Sequence, residues 1–160
     1  MDEEKTLAEK YIEDLPLNGN ISLTFIQVTP KIKSIRRKIP LKYLSSVYKQ
    51  MHHDLENAGI SLRINPPMIE LTDYYRFMCK LFPEFDVHDC QKDSGVGKPD
   101  FVLINKETQF YIELKNGNDG IRHTQMQWLA DNKDKEVWYM FVGNLTIEGY
   151  NGKTFYYEGD

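Results

Sequence analysis

The sequence predicts a single α/β or α+β domain in which helices flank a mixed β-sheet. A chain of 160 residues is about the size of one domain. In two segments apolar residues recur at steps of three and four, the pattern of helices that bury one face. Before and after them lie short segments rich in Val, Ile, Phe and Tyr, which favour strands. A helix, three strands, a helix and a strand, in that order, predict a mixed sheet.

Local signals define each element in turn. Residues 4–14 read as a short polar helix that ends before Pro16, and residues 21–28 have the composition of a strand. The most regular helical stripe covers residues 41–58 and ends at Gly59. The later elements are a helix over 68–82, strands over 85–91, 100–104 and 109–115, a helix over 122–132, a strand over 137–142, and a C-terminal hairpin with the type I′ turn signal Asn151-Gly152.

The segment "NPP" at residues 65–67 breaks the chain between these two groups of elements. We therefore divide the sequence into an N-terminal extension, residues 1–65, and a core, residues 66–160. The amphipathic helix of the extension is a candidate dimer surface.

Composition excludes several classes of protein. No apolar run approaches the roughly 18 residues that a membrane span requires. The first residues, "MDEEKTLAEK", are acidic and polar, unlike a signal peptide. We therefore expect an intracellular protein that does not cross a membrane.

The net charge of −4 argues weakly against a nucleic-acid partner, but charge is unevenly distributed. The stretch from Lys31 to Lys42 contains six basic residues and no acidic one. Such a run is typical of a solvated surface, and it is also a candidate phosphate-binding patch. The candidates for contact with DNA are Lys31, Lys33, Arg36, Arg37 and Lys38 in this run, with Lys98 and Arg122 further along the chain.

Two carboxylates are predicted to face each other across a hairpin. The segments "FVLI" and "QFYIELK" are separated by four polar residues, so Ile104 pairs with Gln109 and the same register places Asp100 opposite Glu113. At a separation of ~5 Å and an effective dielectric of ~20, two like charges repel by on the order of 3 kcal/mol. A divalent cation with hard oxygen ligands, Mg²⁺ or Mn²⁺, explains that cost.

Alternation along the second strand adds a third polar group to the pair. Lys115 lies two residues beyond Glu113 and therefore projects from the same face. The opposite face is a core face, formed by Phe101, Leu103, Phe110, Ile112 and Leu114. A register shifted by one residue would instead place the carboxylates on opposite faces, and Glu-x-Lys by itself is common in strands.

The residues around the carboxylate pair resemble the motif of a known family. "GKPD", residues 97–100, followed by "IELK", residues 112–115, resembles the signature of the PD-(D/E)xK nuclease superfamily. The next stretch, "NGNDGIRHTQMQWLADN", resembles the VRR-NUC branch, with Asp119, Gln125, Trp128 and Leu129 at the matching positions. The resemblance covers about residues 66–143. It implies a restriction-endonuclease-like core with an N-terminal extension.

The resemblance also implies roles for individual residues. Asp100, Glu113 and the backbone carbonyl of Leu114 would bind the metal, and Lys115 would position the attacking water. Glu70, on the helix before the first core strand, would serve a second metal or its water shell; a solvated glutamate favoured by the helix dipole is the alternative.

Gln125 would lie near the scissile phosphate, in the first turn of the following helix. The pattern Thr124-x-x-Gln127 predicts a capping box there, and helix N-termini attract phosphate. Arg122 departs from the family, which often has a small hydroxyl residue at that position.

Together these features predict a Mg²⁺- or Mn²⁺-dependent endodeoxyribonuclease, structure-specific and resembling Holliday-junction resolvases, which act as homodimers on branched DNA. The alternatives are a nuclease directed at flaps or single strands, a catalytically silent DNA-binding protein on the same fold, and a structural domain with a chance motif. RNA remains open as a substrate.

Overall fold

The computed structural model describes most of the chain. The described residues are 5–19, 21–29, 32–40, 43, 61–64, 71–90, 97–116, 120–142, 145–146 and 154–156. The predicted helix 41–58 therefore lies outside the described residues, Tyr43 excepted.

The described residues form three helices and nine strands. In chain order they are α1 (Leu7–Glu13), β1 (Ile21–Thr29), β2 (Lys33–Ile39), β3 (Ser61–Ile64), α2 (Leu71–Leu81), β4 (Asp86–Asp89), β5 (Phe101–Ile104), β6 (Gln109–Asn116), α3 (His123–Asp131), β7 (Val137–Val142), β8 (Leu145–Thr146) and β9 (Thr154–Tyr156). None of these helices is long and apolar enough to cross a lipid bilayer.

A six-stranded mixed sheet organises the molecule, in the order β2-β1-β7-β6-β5-β4. Neighbouring strands are antiparallel except β6 and β7, which run parallel because α3 carries the chain back between them. The predicted fold class is confirmed: this is a mixed α+β domain, and its order of elements from α2 to β7 is consistent with a restriction-endonuclease-like core.

The N-terminal part of the chain contributes to the same sheet. β1 pairs with β7, and β2 pairs with β1 at the edge. The segment that carries the basic run is thus largely a strand. Charged side chains are common on edge strands, where they discourage further strand pairing.

The predicted C-terminal hairpin is wrong in its pairing. A hairpin would place β8 beside β9, but β3 lies between them in a second, three-stranded sheet of order β8-β3-β9. β9 runs parallel to β3 and β8 antiparallel to it. The sequence pattern of the tail predicts strands but not their partner β3, which lies about 80 residues before β8 and about 90 residues before β9. The turn signal Asn151-Gly152 lies outside the described residues.

Each face of the large sheet packs against helices. On one face, α1 and α2 bury the larger apolar cluster, which includes Ile12, Met78, Phe101, Phe110 and Trp138. On the other face, α3 packs Trp128 and Leu129 against a smaller cluster that includes Val102 and Tyr139. The second face, called here the α3 face, also carries the carboxylate pair. This face therefore combines apolar packing with the polar candidate site.

Candidate metal centre

The register of the β5–β6 hairpin agrees with the prediction. Ile104 pairs with Gln109 and Phe101 with Ile112, and continuing this register by one residue places Asp100 opposite Glu113. The four polar residues between the strands make the turn, where the Asn105 side chain accepts the N–H groups of Glu107 and Thr108 at 2.9 and 2.8 Å. Local turn chemistry thus fixes the register that brings the carboxylates together.

The two carboxylates are held in different surroundings. Asp100 is half-buried, and its Oδ2 accepts the backbone N–H of Leu114 at 2.9 Å. Glu113 is only 7% exposed. Burial, and then the Asp100 carboxylate, raise the pKa of Glu113 to about 9, although Lys115 acts in the opposite direction. A buried carboxyl beside a second carboxylate is the electrostatic situation that a bound cation relieves.

Lys115 is buried on the same face and is held by two acceptors. Its Nζ donates to Gln125 Oε1 at 2.8 Å and to the backbone oxygen of Gly120 at 3.1 Å. It also lies 5.8 Å from the ring centroid of Tyr139, within cation–π range. An ammonium has three N–H groups, so these two bonds leave one for a water or a phosphate oxygen.

Gln125 lies in the first turn of α3, as predicted, but the predicted cap is wrong. The N-cap is Arg122 rather than Thr124, so Gln125 is the third helical residue. Its Oε1 accepts the Arg122 backbone N–H at 2.9 Å, which is the side-chain half of a capping box. Gln127 instead lies on the exposed side and bonds Asp131. Gln125 takes the N3 position because the N-cap lies two residues before Thr124, and the same oxygen also accepts a hydrogen bond from the buried Lys115.

Gly97 fixes the approach of the "GKPD" loop to α3. Its φ is +81°, a conformation that residues with a Cβ rarely adopt. A Cβ at this position would also overlap the backbone carbonyl of Thr124. The loop that carries Asp100 is therefore packed against the first turn of the helix that carries Gln125.

Two further residues belong to the site and were not predicted as parts of it. Tyr139 is the register partner of Glu113 on β7, and burial, followed by the Glu113 and Asp100 carboxylates, raises the pKa of its phenol to about 12. Cys90 lies opposite Asp100, whose carbonyl accepts the Cys90 backbone N–H at 2.8 Å. Neither has a sequence signal, because its position depends on pairing between distant segments.

The basic residues predicted to contact DNA lie in different parts of the structure. Lys33 and Arg37 project from β2 toward the face covered by α1, where Lys33 Nζ lies 2.6 Å from Glu9 Oε1, whereas Arg36 and Lys38 are exposed on the α3 face. The remaining described candidates lie beside the site: Lys98 two residues before Asp100, and Arg122 exposed at the start of α3. Lys31 and Glu70, with Asp119 of the resembled pattern, lie outside the described residues.

The donor set suits a small divalent cation. Asp100 and Glu113 supply hard carboxylate oxygens, and the backbone N–H of Leu114 donates to the Asp100 carboxylate. Within the described ranges, no group of three His, Cys, Asp or Glu side chains is placed to hold a metal. Mg²⁺ commonly uses one or two carboxylates and completes its shell with water and substrate oxygens, so two carboxylates are sufficient. Leu114 as a carbonyl ligand stays a prediction.

Comparison of the chain with protein-family models, with curated proteins and with solved structures finds no match.

Proposed function

We propose that this protein is a metal-dependent endonuclease that hydrolyses phosphodiester bonds of DNA. The observation that carries the proposal is the placement of Asp100 opposite Glu113, with Lys115 fixed two residues further on the same face. Two facing ionised carboxylates inside a fold cost free energy unless a cation joins them or one of them takes up a proton. A structural role for the pair would not require the adjacent, immobilised ammonium.

The chain's own residues contribute binding, charge and orientation. When bound, a divalent cation supplies Lewis-acid chemistry: it polarises the phosphodiester and lowers the pKa of water. Asp100 and Glu113 would hold that ion. Lys115, with one N–H remaining, donates to the attacking water or to a phosphate oxygen and offsets negative charge that develops in the transition state.

Gln125 acts through Lys115. By accepting from both Lys115 and the Arg122 backbone, it holds the ammonium and the N-terminus of α3 in a fixed relation. A helix N-terminus offers unpaired N–H groups to a phosphate. We infer that the scissile phosphate lies between the carboxylate pair and this end of α3.

The preferred substrate under this proposal is branched DNA, cut by a homodimer, since a junction presents two symmetric strands. Selectivity would then come from DNA shape through backbone contacts rather than from base readout. The proposed dimer surface, residues 41–58, lies outside the described residues except for Tyr43.

Cleavage of a panel of labelled nucleic acids tests the proposal. Wild type, Asp100→Asn and the matched control Asp86→Asn, an exposed aspartate on β4, are incubated with a four-way junction, a flap, duplex DNA, single-stranded DNA and RNA, in Mg²⁺, Mn²⁺ or EDTA. We expect metal-dependent, symmetrically paired nicks in the junction by wild type and Asp86→Asn, and no product with Asp100→Asn. Cleavage of another substrate, without cleavage of the junction, would support the nuclease activity and contradict the preference for junctions. Binding without cleavage of any substrate would favour a catalytically silent DNA-binding protein.

A further inference from the structure

The ladder pairings align residues of distant segments in rows across the α3 face. Glu113 pairs with Tyr139, Tyr139 with Ile26, and Ile26 with Ser34. The next row begins at Lys115, two residues along β6 from Glu113. It runs through Phe141 and Thr24 to Arg36.

A third row, two residues further along β1 and β2, places a second cation beside Arg36. Ser22 pairs with Lys38, two residues beyond Arg36 on the edge strand β2. Because side chains alternate along a strand, Arg36 and Lys38 lie on the same face as Lys115. Burial agrees with this assignment: both are exposed, whereas Ile35 and Ile39 of the same strand pack into the cluster on the other face.

The other two described cations of β2, Lys33 and Arg37, point to the opposite face of the sheet. Lys33 is engaged by Glu9 of α1, and Arg37 Nε is buried. Among the described residues no ion pair involves Arg36 or Lys38. The charge at this edge therefore suits an anionic partner.

The surface at this edge is concave. A groove of about 340 Å³ is lined by Leu17, Arg37 and a stretch of β1 together with the two exposed cations, Arg36 and Lys38. Between the groove and Lys115 lies Phe141, a half-buried aromatic side chain. Cations flanking a partly exposed aromatic surface are the combination that binds a nucleic-acid strand through its phosphates and bases.

We propose that the β2 edge of the α3 face is an extension of the metal centre that binds the substrate backbone, so that one nucleic-acid strand crosses the sheet from Lys115 to Arg36 and Lys38. This inference rests on the proposed nuclease function and adds the direction of the strand to it. Arg36 is three strand spacings from β6, or about 14 Å at ~4.8 Å per strand. That distance equals about four steps of duplex DNA along its axis, at ~3.4 Å per step. The phosphates contacted by Arg36 and Lys38 thus lie about four nucleotides from the cleaved bond.

Salt-dependent binding tests this surface separately from catalysis. The affinity of the metal-free protein for a labelled duplex and a labelled single strand is measured by fluorescence anisotropy between 50 and about 200 mM salt, the range in which phosphate contacts are lost. The variant is Arg36→Ala/Lys38→Ala. Its charge-matched control is Lys10→Ala/Lys106→Ala, on α1 and in the β5–β6 turn, where both lysines are exposed. Thermal unfolding verifies that each variant folds.

For the Arg36→Ala/Lys38→Ala variant we expect the slope of log K against log salt to fall in magnitude by about 1.8 for duplex or about 1.4 for single strands, the value for two phosphate contacts. The control should keep the wild-type slope. Equal slopes in wild type and the Arg36→Ala/Lys38→Ala variant would overturn the extended surface, whereas the nuclease would stand if the wild type still cleaves. A wild type that neither binds nor cleaves would overturn both proposals.

Discussion

Lys115 and Gln125 form a 2.8 Å hydrogen bond that joins the end of β6 to the first turn of α3. The same Gln125 oxygen caps the helix through the Arg122 N–H. One amide side chain therefore sets both the position of the candidate catalytic lysine and the start of the helix that faces it. Hydrogen bonds of this kind hold catalytic groups in the productive geometry.

Replacement of Gln125 by alanine should lower kcat with little change in KM. The change removes an acceptor from a buried ammonium and leaves Lys115 free to reorient. We expect a loss of about 10- to 100-fold, typical of positioning residues around metal centres, measured by steady-state cleavage. The matched control is Gln127→Ala, on the exposed side of the same helix. Equal activities of the two variants would contradict the positioning role.

Glu113 should make the stability of the metal-free protein depend on pH. Its pKa of about 9 in the folded protein lies above the ordinary value of 4.5, so the fold favours the protonated carboxyl. The stabilisation is complete below about pH 4.5 and is lost as pH rises toward 9. Urea unfolding in EDTA should therefore give a free energy of unfolding that decreases across this window.

Two variants separate the contribution of Glu113 from other titrations. Glu113→Gln cannot ionise, so its free energy of unfolding should fall less steeply with pH than that of wild type. Glu107→Gln, an exposed glutamate in the β5–β6 turn, should retain the wild-type slope. A Glu113→Gln profile parallel to wild type would show that the buried carboxyl is not the titrating group.

Gly97→Ala should destabilise the protein and lower its activity together. The substitution forces a residue with a Cβ into a positive φ and against the Thr124 carbonyl. The conformational penalty alone is about 1–2 kcal/mol, and displacement of the loop would move Asp100. Gly120→Ala is the matched control, because a Cβ there meets no atom within 4 Å. Denaturant unfolding of the two variants would refute this account if their midpoints coincide.

Lys33 should contribute to stability rather than to DNA binding. Its partner Glu9 is 5% exposed, and removal of Lys33 would leave that carboxylate buried without its cation. We expect Lys33→Ala to lower the free energy of unfolding by about 1–3 kcal/mol, whereas Lys38→Ala, on the exposed face, should change it by less than about 0.5 kcal/mol. A stable Lys33→Ala variant with weakened DNA binding would reverse the assignment.

The carboxylate pair was predictable because its geometry is local. Four polar residues between two apolar segments determine the hairpin register, and alternation then places Asp100, Glu113 and Lys115 on one face. Helices and strands of the core were found for the same reason, with boundaries that differ from the structure by a few residues.

Features that depend on distant pairing were not predictable in the same way. Tyr139 joins the site only through the parallel register of β6 and β7, which α3 and its loops determine. β3 was missed, and the tail was paired wrongly, because the strands of that small sheet come from segments far apart in the chain. The basic run gave no sign that β2 would turn Lys33 and Lys38 to opposite faces, since that division follows from strand formation at the sheet edge.

The most direct test of the central claim is Mn²⁺ binding, measured as the loss of the free-ion electron paramagnetic resonance signal on titration with protein. The account predicts that wild type and Glu107→Gln bind Mn²⁺ alike, and that Glu113→Gln binds it at least about tenfold more weakly, as expected for loss of a metal ligand. Mn²⁺ affinity of Glu113→Gln equal to that of wild type would contradict the claim that the facing carboxylates hold a cation.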